Sequence, residues 1–253
     1  MKYYDKLIEL GCFSRQELVG ITGSDAAANS LIYDYLRKGY IERIRRDLYA
    51  SISIETKQPV PTRYKIASRL YDDAFVSHHS AFEYYGYANQ VFYEVYVTTA
   101  SRFKNFEFDG VTYQRVMPKN NNTAEMSGDV RVTGLERTVI DSINDFEKIG
   151  GLEETLRCLL LIPALNPDKL LAALASYGSG LLYQKSGYLL ESLRDSFDLP
   201  DSFFYMCHQN ISGSKKYLSK EHDGYIWHEK WRLYAPANIH ALIDKGVKDY
   251  DAI

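Results

Sequence analysis

The stretch Ser24–Ser51, SDAAANSLIYDYLRKGYIERIRRDLYAS, limits the possible folds of this chain more than any other. Ser24 suits a helix N-cap, because its hydroxyl can accept from an unpaired amide of the first turn, and Asp25 complements the helix dipole. Ala28, Leu31, Ile32, Tyr35 and Leu36 then follow the spacing of one buried helical stripe. Gly39 comes just after Arg37 and Lys38, where a left-handed residue closes a helix. The opposite face carries Ala26, Ser30, Tyr33 and Arg37, with Asn29 and Asp34 at its edges; such small, polar and aromatic groups can approach base edges.

After the helix, Tyr40–Arg45 alternates as a strand, Arg46-Asp47 fits a two-residue turn and Leu48-Tyr49-Ala50 returns. From Arg37 to Arg46 there are five basic residues (Arg37, Lys38, Arg43, Arg45, Arg46) against one acid, Glu42, on a chain whose net charge is −3. Upstream, Tyr4, Leu7, Ile8 and Leu10 share one side of a first helix over residues 2–10. Ser14 and Glu17 make a capping box for a short second helix that ends at Gly23. Helix, capped helix, longer helix and hairpin is the order of a winged helix-turn-helix, whose long helix enters a major groove while the wing holds phosphate. The residues alone also allow a three-helix core whose basic hairpin serves packing or protein contact.

A length of 253 residues suits two or three domains, and 45% hydrophobic content rules out a disordered tail. The slightly acidic total excludes a uniformly basic coat, so any nucleic-acid contact must be a local patch. Cys12, Cys158 and Cys207 match no Cys/Cys or Cys/His ligand spacing, so neither zinc nor a disulfide framework is expected. No apolar run approaches the roughly 18 residues of a membrane span, and the N-terminus reads as an amphipathic helix rather than a signal peptide. A cytoplasmic protein without a membrane partner is expected.

The remainder reads as α+β. Residues 53–61, polar with two prolines, read as a linker between a winged domain over 1–52 and a mixed domain over 62–253, with a further division near residue 200 left open. A helix is expected over Thr62–Tyr71, then a short strand, a turn and a short helix between Ala74 and Gly86. Further strands are expected over Gln90–Thr99, Phe103–Phe108, Val111–Val116 and Val130–Val132, mostly antiparallel, with Asp109-Gly110 as a hairpin turn and Asn120–Asn122 as a loop. Thr133 and Glu136 form a second capping box for a helix burying Leu135, Val139, Ile140 and Ile143. Helices follow over Leu152–Leu161, Pro167–Tyr177 and Leu181–Phe197, the last interrupted by or beginning at Gly187. Strands are expected at Phe203–His208 and Tyr225–Tyr234, with a turn at residues 213–216 between them and a last helix over Ala237–Lys245.

Chemical motifs are few. Adjacent His78 and His79 share no face and lack further ligands, so they are assigned to capping the Ser80 helix rather than to metal binding or catalysis. Arg137 and Asp141, four apart, read as a helix ion pair contributing a few tenths of a kcal/mol, roughly. Lys215, Lys216 and Lys220 form a second basic cluster, read as a solvated loop able to add phosphate contacts. No phosphate loop, hydrolase elbow or zinc-protease motif is present.

Several segments resemble the AbiEi family of antitoxin-regulators from bacterial abortive-infection systems. They are Gly39-Tyr40-Ile41, Arg46-Asp47-Leu48-Tyr49, Ser77-His78-His79-Ser80-Ala81, Val132–Asp141, Gly187–Glu191 and Trp231–Pro236. The resemblance spans most of the chain and implies a winged-helix domain binding inverted repeats in its own promoter. It further implies a C-terminal antitoxin domain, and as genetic partner a nucleotidyltransferase toxin that need not be touched directly. It places Arg43, Arg45 and Arg46 on the wing, with Asp47 where a glycine is common, and implies no catalytic residue, metal or cofactor. The expected DNA-binding set is Ser24, Asn29, Ser30, Tyr33, Arg37, Lys38, Arg43, Arg45 and Arg46. Rival readings are a DNA-targeted nuclease, for which Asp141 and Glu136 would converge near His78, and a winged helix that binds protein. Oligomeric state is left open, a monomer included.

Overall fold

The computed structural model of the chain describes residues 2–119 and 124–243, and the apolar periodicities of its N-terminal part become a winged helix-turn-helix. Helices α1 (Tyr4–Leu10), α2 (Arg15–Thr22) and α3 (Asp25–Arg37) and strands β1 (Cys12–Ser14), β2 (Ile41–Arg45) and β3 (Leu48–Ser51) follow in the order α1-β1-α2-α3-β2-β3. The capping box at Ser14 and Glu17 forms in full, and the Ser24 hydroxyl accepts from Ala27 N. Ala28, Ile32 and Tyr35 are buried against Tyr4, Leu7, Phe13, Leu18, Ile41 and Tyr49, with Leu31 and Leu36 packed at the margin. Gly39 has φ 67°, which lets Tyr40 N reach back to the Tyr35 carbonyl (2.9 Å) and close α3. One strand was not anticipated: β1 pairs with β3, so the wing is a three-stranded sheet in the order β1-β3-β2. At three residues, Cys12–Ser14 is too short for alternation to reveal it.

The chain divides into two units. The first comprises Met1–Val76, Tyr93–Met117 and Met126–Val132, and the second Ser77–Phe92, Pro118–Glu125 and Thr133–Ile253. In the first unit, residues 53–61 are an ordered loop, with Lys57 N donating to Ser53 O and Val60 N to Ser51 O. Helix α4 (Arg63–Ser68) follows, then strands β4 (Phe75–Val76), β5 (Glu94–Thr98), β6 (Phe106–Phe108), β7 (Val111–Val116), β8 (Ala124–Ser127) and β9 (Val130–Thr133). They form a sheet in the order β6-β7-β5-β4-β9-β8, against which α4 packs. The sheet is mixed rather than mostly antiparallel, since β5 runs parallel to β7 and β4 parallel to β9. Asp109 and Gly110 both take positive φ, as the expected hairpin turn requires. The Gln90–Thr99 strand begins only at Glu94, because Val91 and Tyr93 are exposed and offer no inward face. Phe103–Phe108 is likewise extended only from Phe106. The Asn120–Asn122 loop lies outside the described residues.

The second unit is mostly helical: α5 (His79–Tyr85), α6 (Leu135–Asn144), α7 (Leu152–Leu160), α8 (Pro167–Tyr177), α9 (Gly180–Ser192) and α10 (Asp201–Gln209). Strands β10 (Lys216–Tyr217), β11 (Ile226–His228) and β12 (Leu233–Ala235) form a small sheet in the order β10-β12-β11. Its core joins Val139, Ile140 and Ile143 of α6 to Leu156 and Leu159 of α7, Leu170 and Leu174 of α8, and Leu189 and Leu190 of α9. Each such side chain contributes roughly 1.5–3 kcal/mol by leaving water.

Four expectations change here. The Thr133–Glu136 capping box does not form: Gly134 is the N-cap, the Thr133 hydroxyl contacts Thr138 (2.7 Å), and Glu136 accepts from Asn166 N (3.0 Å). Phe203–His208 is helical, not extended, because Phe203, Phe204 and Cys207 bury a helical face behind Pro200 and Asp201. Tyr225–Tyr234 is a hairpin of two strands, β11 and β12, with Arg232 in the turn at φ 48°. Gly187 neither interrupts nor starts a helix; it lies inside α9, where a Cβ would stand 2.1 Å from Cζ3 of the buried Trp231 ring. The last helix is helical from His240, and its expected end at Lys245 lies outside the described residues.

Gly187→Ala should therefore lower stability by about 3 kcal/mol, the upper range for overpacking, since neither helix backbone nor a buried indole can give way easily. Thermal melts of the two proteins test this, and equal melting temperatures would contradict it.

Candidate nucleic-acid interface

Burying one stripe of α3 forces the other outward. Ser24, Asn29, Ser30, Tyr33, Arg37 and Lys38 are all exposed, Tyr33 at 70%. Some of these groups already have partners. The Asn29 side-chain oxygen accepts from Arg15 Nε (2.9 Å), and Arg15 also pairs with Asp25 (2.5 Å), so α2 fixes the amide's orientation. Asp34 sits between Arg37 (3.3 Å) and Lys38 (2.6 Å), and the Lys38 hydrogen bond holds its carboxyl below the usual carboxylate range. Exposed pairs of this kind are easily exchanged for a phosphate.

The wing presents its three arginines differently. Arg46 at the tip is 95% exposed, 3.6 Å from the Asp47 carboxylate. Asp47 takes φ 59°, a conformation Asp tolerates better than most residues, and its carbonyl accepts from Arg15 N (3.1 Å). Arg43 is exposed beside Tyr49, its guanidinium 5.6 Å from the ring centroid. Arg45 is not free: its guanidinium carbon lies 4.6, 5.8 and 6.0 Å from the Tyr71, Phe103 and Phe106 rings. Its Nη2 donates to the Tyr71 hydroxyl (2.6 Å), and its buried Nη1 finds no acceptor among the described residues. The alternation that places Arg43 and Arg45 on one strand says nothing of this cage, which lies in sequence beyond the linker.

Glu17 of the capping box is held by Arg69, whose Nη2 lies 2.5 Å from its carboxylate. Burial pushes the Glu17 carboxyl up, but the hydrogen bonds from Arg69 and Ser14 outweigh it and hold it below the usual value. A glutamine can keep the cap but not the charge. Glu17→Gln should cost about 0.5 kcal/mol at neutral pH, discounted for exposure. Because the folded pKa is depressed, this difference should persist above the unfolded value of 4.5 and vanish as pH falls through the folded one. Urea titrations at pH 7 and pH 3 check the sign.

The remaining sequence candidates prove structural or lie elsewhere. Neither histidine caps the Ser80 helix by its side chain: His78 is the N-cap residue at φ 54° and its Nδ1 lies 2.9 Å from Ser77 Oγ. Burial pushes His78 down to about 3, assisted by Lys148. Lys215 lies 5.0 Å from the Trp227 ring and Lys220 pairs with Glu147. Asp141 accepts from Arg137 Nε and from the Tyr177 hydroxyl, both at 2.6 Å, while Glu136 caps the Asn166 amide. Sequence reading did not foresee a cluster of His79, Glu83, Glu154 and Cys158 on α5 and α7, in which His79, Glu154 and Cys158 are buried and the Glu83 side chain is covered, although each helix carries its pair four residues apart.

Residues 4–52 match the family described as transcriptional regulator, AbiEi antitoxin. The match takes in the winged helix, which is similar to the AbiEi-type domain. Over 93% of its length, and 89% of the other chain, the protein is similar to the crystal structure of the RV2827C protein from Mycobacterium tuberculosis. The identity is 14% and the TM-score 0.63, a likeness of fold alone. No curated protein matches the sequence.

The matched AbiEi-type segment ends with the wing, so the buried ion pair of Arg137 and Asp141 lies beyond it. Being buried, that pair differs from the helix-surface bridge its spacing implies: burial pushes the Asp141 carboxyl up, and Arg137 and Tyr177 oppose that rise. Asp141→Ala should cost about 3 kcal/mol, ten times the surface expectation, because it leaves a buried guanidinium unpaired. Denaturant unfolding checks this, and a loss below about 1 kcal/mol would return the pair to the surface class.

Proposed function

We propose that the chain is a DNA-binding transcriptional repressor and antitoxin of a bacterial abortive-infection system, acting in the cytoplasm on inverted repeats in its own promoter. Residues 1–52 form the DNA-binding domain, residues 62–253 carry the antitoxin function without catalysis, and the genetic partner is a nucleotidyltransferase-type toxin. The observation that carries this reading is the outward face of α3, with Ser30, Tyr33 and Arg37, on the same small domain as the exposed Arg43 and Arg46. On a chain of net charge −3, this local excess of cations favours a polyanion at the winged helix.

In this reading Ser30, Tyr33 and Arg37 meet base edges, with Asn29 held ready by Arg15. Lys38, Arg43 and Arg46 neutralise phosphate, and Ser24 fixes the start of the helix. Arg45 is the residue that steadies the wing, which leaves three phosphate contacts. The affinity should then fall with salt at a log–log slope of about −2.7 per protomer. Arg43→Ala with Arg46→Ala should weaken binding to operator and unrelated DNA alike and flatten that slope by about 2. Tyr33→Ala should reduce discrimination between them. Fluorescence anisotropy with the DNA upstream of its own gene measures all three. Operator affinity unchanged by the double substitution would overturn the assignment, and no binding at all would favour a protein partner for the winged helix.

A further inference from the structure

The four-residue cluster on α5 and α7 has no part in DNA binding. His79 is fully buried, and its ring stacks on Phe92 at 3.8 Å with the planes 12° apart, which fixes where both nitrogens point. Nε2 faces Glu154, 3.5 Å from Oε1, and Cys158 Sγ lies 3.5 Å from the same oxygen. One ligating atom from each of His79, Glu154 and Cys158 lies within 4.8 Å of the others. Nδ1 faces Glu83, 3.3 Å from Oε1. Neither imidazole nitrogen has the alignment of a hydrogen bond, although both are wholly buried. A ring held between two carboxylates with both nitrogens out of hydrogen-bond alignment leaves bonding capacity unused, which an ion at one nitrogen would take up.

We propose that His79 Nε2, Glu154 and Cys158 Sγ bind a divalent transition-metal ion, zinc by their donor set, tying α5 to α7. Nitrogen, oxygen and sulfur together are borderline ligands of the kind zinc accepts, and they disfavour magnesium or calcium. Zinc bond lengths of about 2.0 Å to nitrogen and oxygen and 2.3 Å to sulfur give tetrahedral edges of roughly 3.3–3.6 Å. The two separations to Glu154 Oε1, both 3.5 Å, fall in that range, and the third edge, within 4.8 Å, closes by side-chain adjustment on binding. Glu83 Oε1, 3.3 Å from Nδ1, stands where a carboxylate that orients a metal-bound histidine belongs, on the side away from the proposed ion, leaving Nε2 as the donor. Glu154 is held in turn by Gln90 N (3.1 Å) and Asn89 Nδ2 (3.2 Å). Binding releases the Cys158 thiol proton to solvent, and any proton on Nε2 with it; the fourth position falls to water. The site is sealed, so its metal holds the fold together and does no chemistry on a substrate.

The test is metal analysis of the untagged full-length chain, purified without chelator and, separately, refolded with zinc or cobalt under reducing conditions. About one equivalent of zinc is expected, with a raised melting temperature. The cobalt form should show a thiolate-to-cobalt charge-transfer band in the near ultraviolet. Cys158→Ser should abolish that band, whereas Cys12→Ser and Cys207→Ser should retain it. Glu83→Gln should weaken zinc affinity 10- to 100-fold, as loss of an orienting carboxylate does. Should the Cys158 or Glu83 variants fail to fold, the unaltered chain still decides. Less than a tenth of an equivalent of zinc, no charge-transfer band and a melting temperature indifferent to metal would overturn the proposal. The cluster would then be a buried imidazolium between two carboxylates.

Discussion

The burial of one stripe of α3 governs the arrangement of everything in the N-terminal domain. Ala28, Ile32 and Tyr35 can leave water only by packing on Leu7, Phe13, Leu18, Ile41 and Tyr49, which come from all the other elements of the winged helix. A helix has 3.6 residues per turn, so fixing three inward positions fixes every outward one. The exposure of Ser30, Tyr33 and Arg37 is thus a consequence of core packing. Any change in the buried stripe that rotated the helix would move the outward residues by the same angle, and the surface chemistry would be lost without any surface substitution.

The wing follows a second constraint, the competition for arginine between solvent and aromatic rings. Guanidinium is weakly hydrated and stacks well, so an arginine within reach of Tyr71, Phe103 and Phe106 gains from leaving water where a lysine would not. Arg45 takes that course. Arg46, at the turn, remains in solvent beside Asp47. The two neighbours carry the same charge in sequence and contribute differently to the field outside the molecule. The acid at the turn further trims the positive potential at the tip.

How far the sequence could be read followed from how local each determinant was. Caps and glycine stops depend on a few adjacent groups, and Ser14, Ser24, Gly39 and Asp109-Gly110 behave as their spacing implies. The Thr133–Glu136 box failed because each side chain found a more distant partner, Thr138 and Asn166. Phe203–His208 looked extended because an aromatic run has strand propensity, yet its burial alternates with the helical period once α9 lies alongside. Gly187 reads as a breaker only when Trp231, forty-odd residues later, is left out of account. The α3 face was legible and Arg45's cage was not, for the same reason: the cage needs contacts between residues far apart in the chain.

The second unit shows what that non-locality does to buried polar groups. Arg137 and Asp141 satisfy one another within one helix, with Tyr177 and Ser176 added from α8, and the pair is complete in hydrogen-bond terms. His79 has its opposing groups from two helices and a stacking ring that prevents adjustment, and its nitrogens remain misaligned. Both sites are shielded from solvent, so the difference is one of completeness and not of burial. A complete network accounts for its own retention through stability alone. An incomplete one with three metal-ligand donors within 4.8 Å of one another does not, and that asymmetry separates the structural ion pair from the proposed cation site on the same domain.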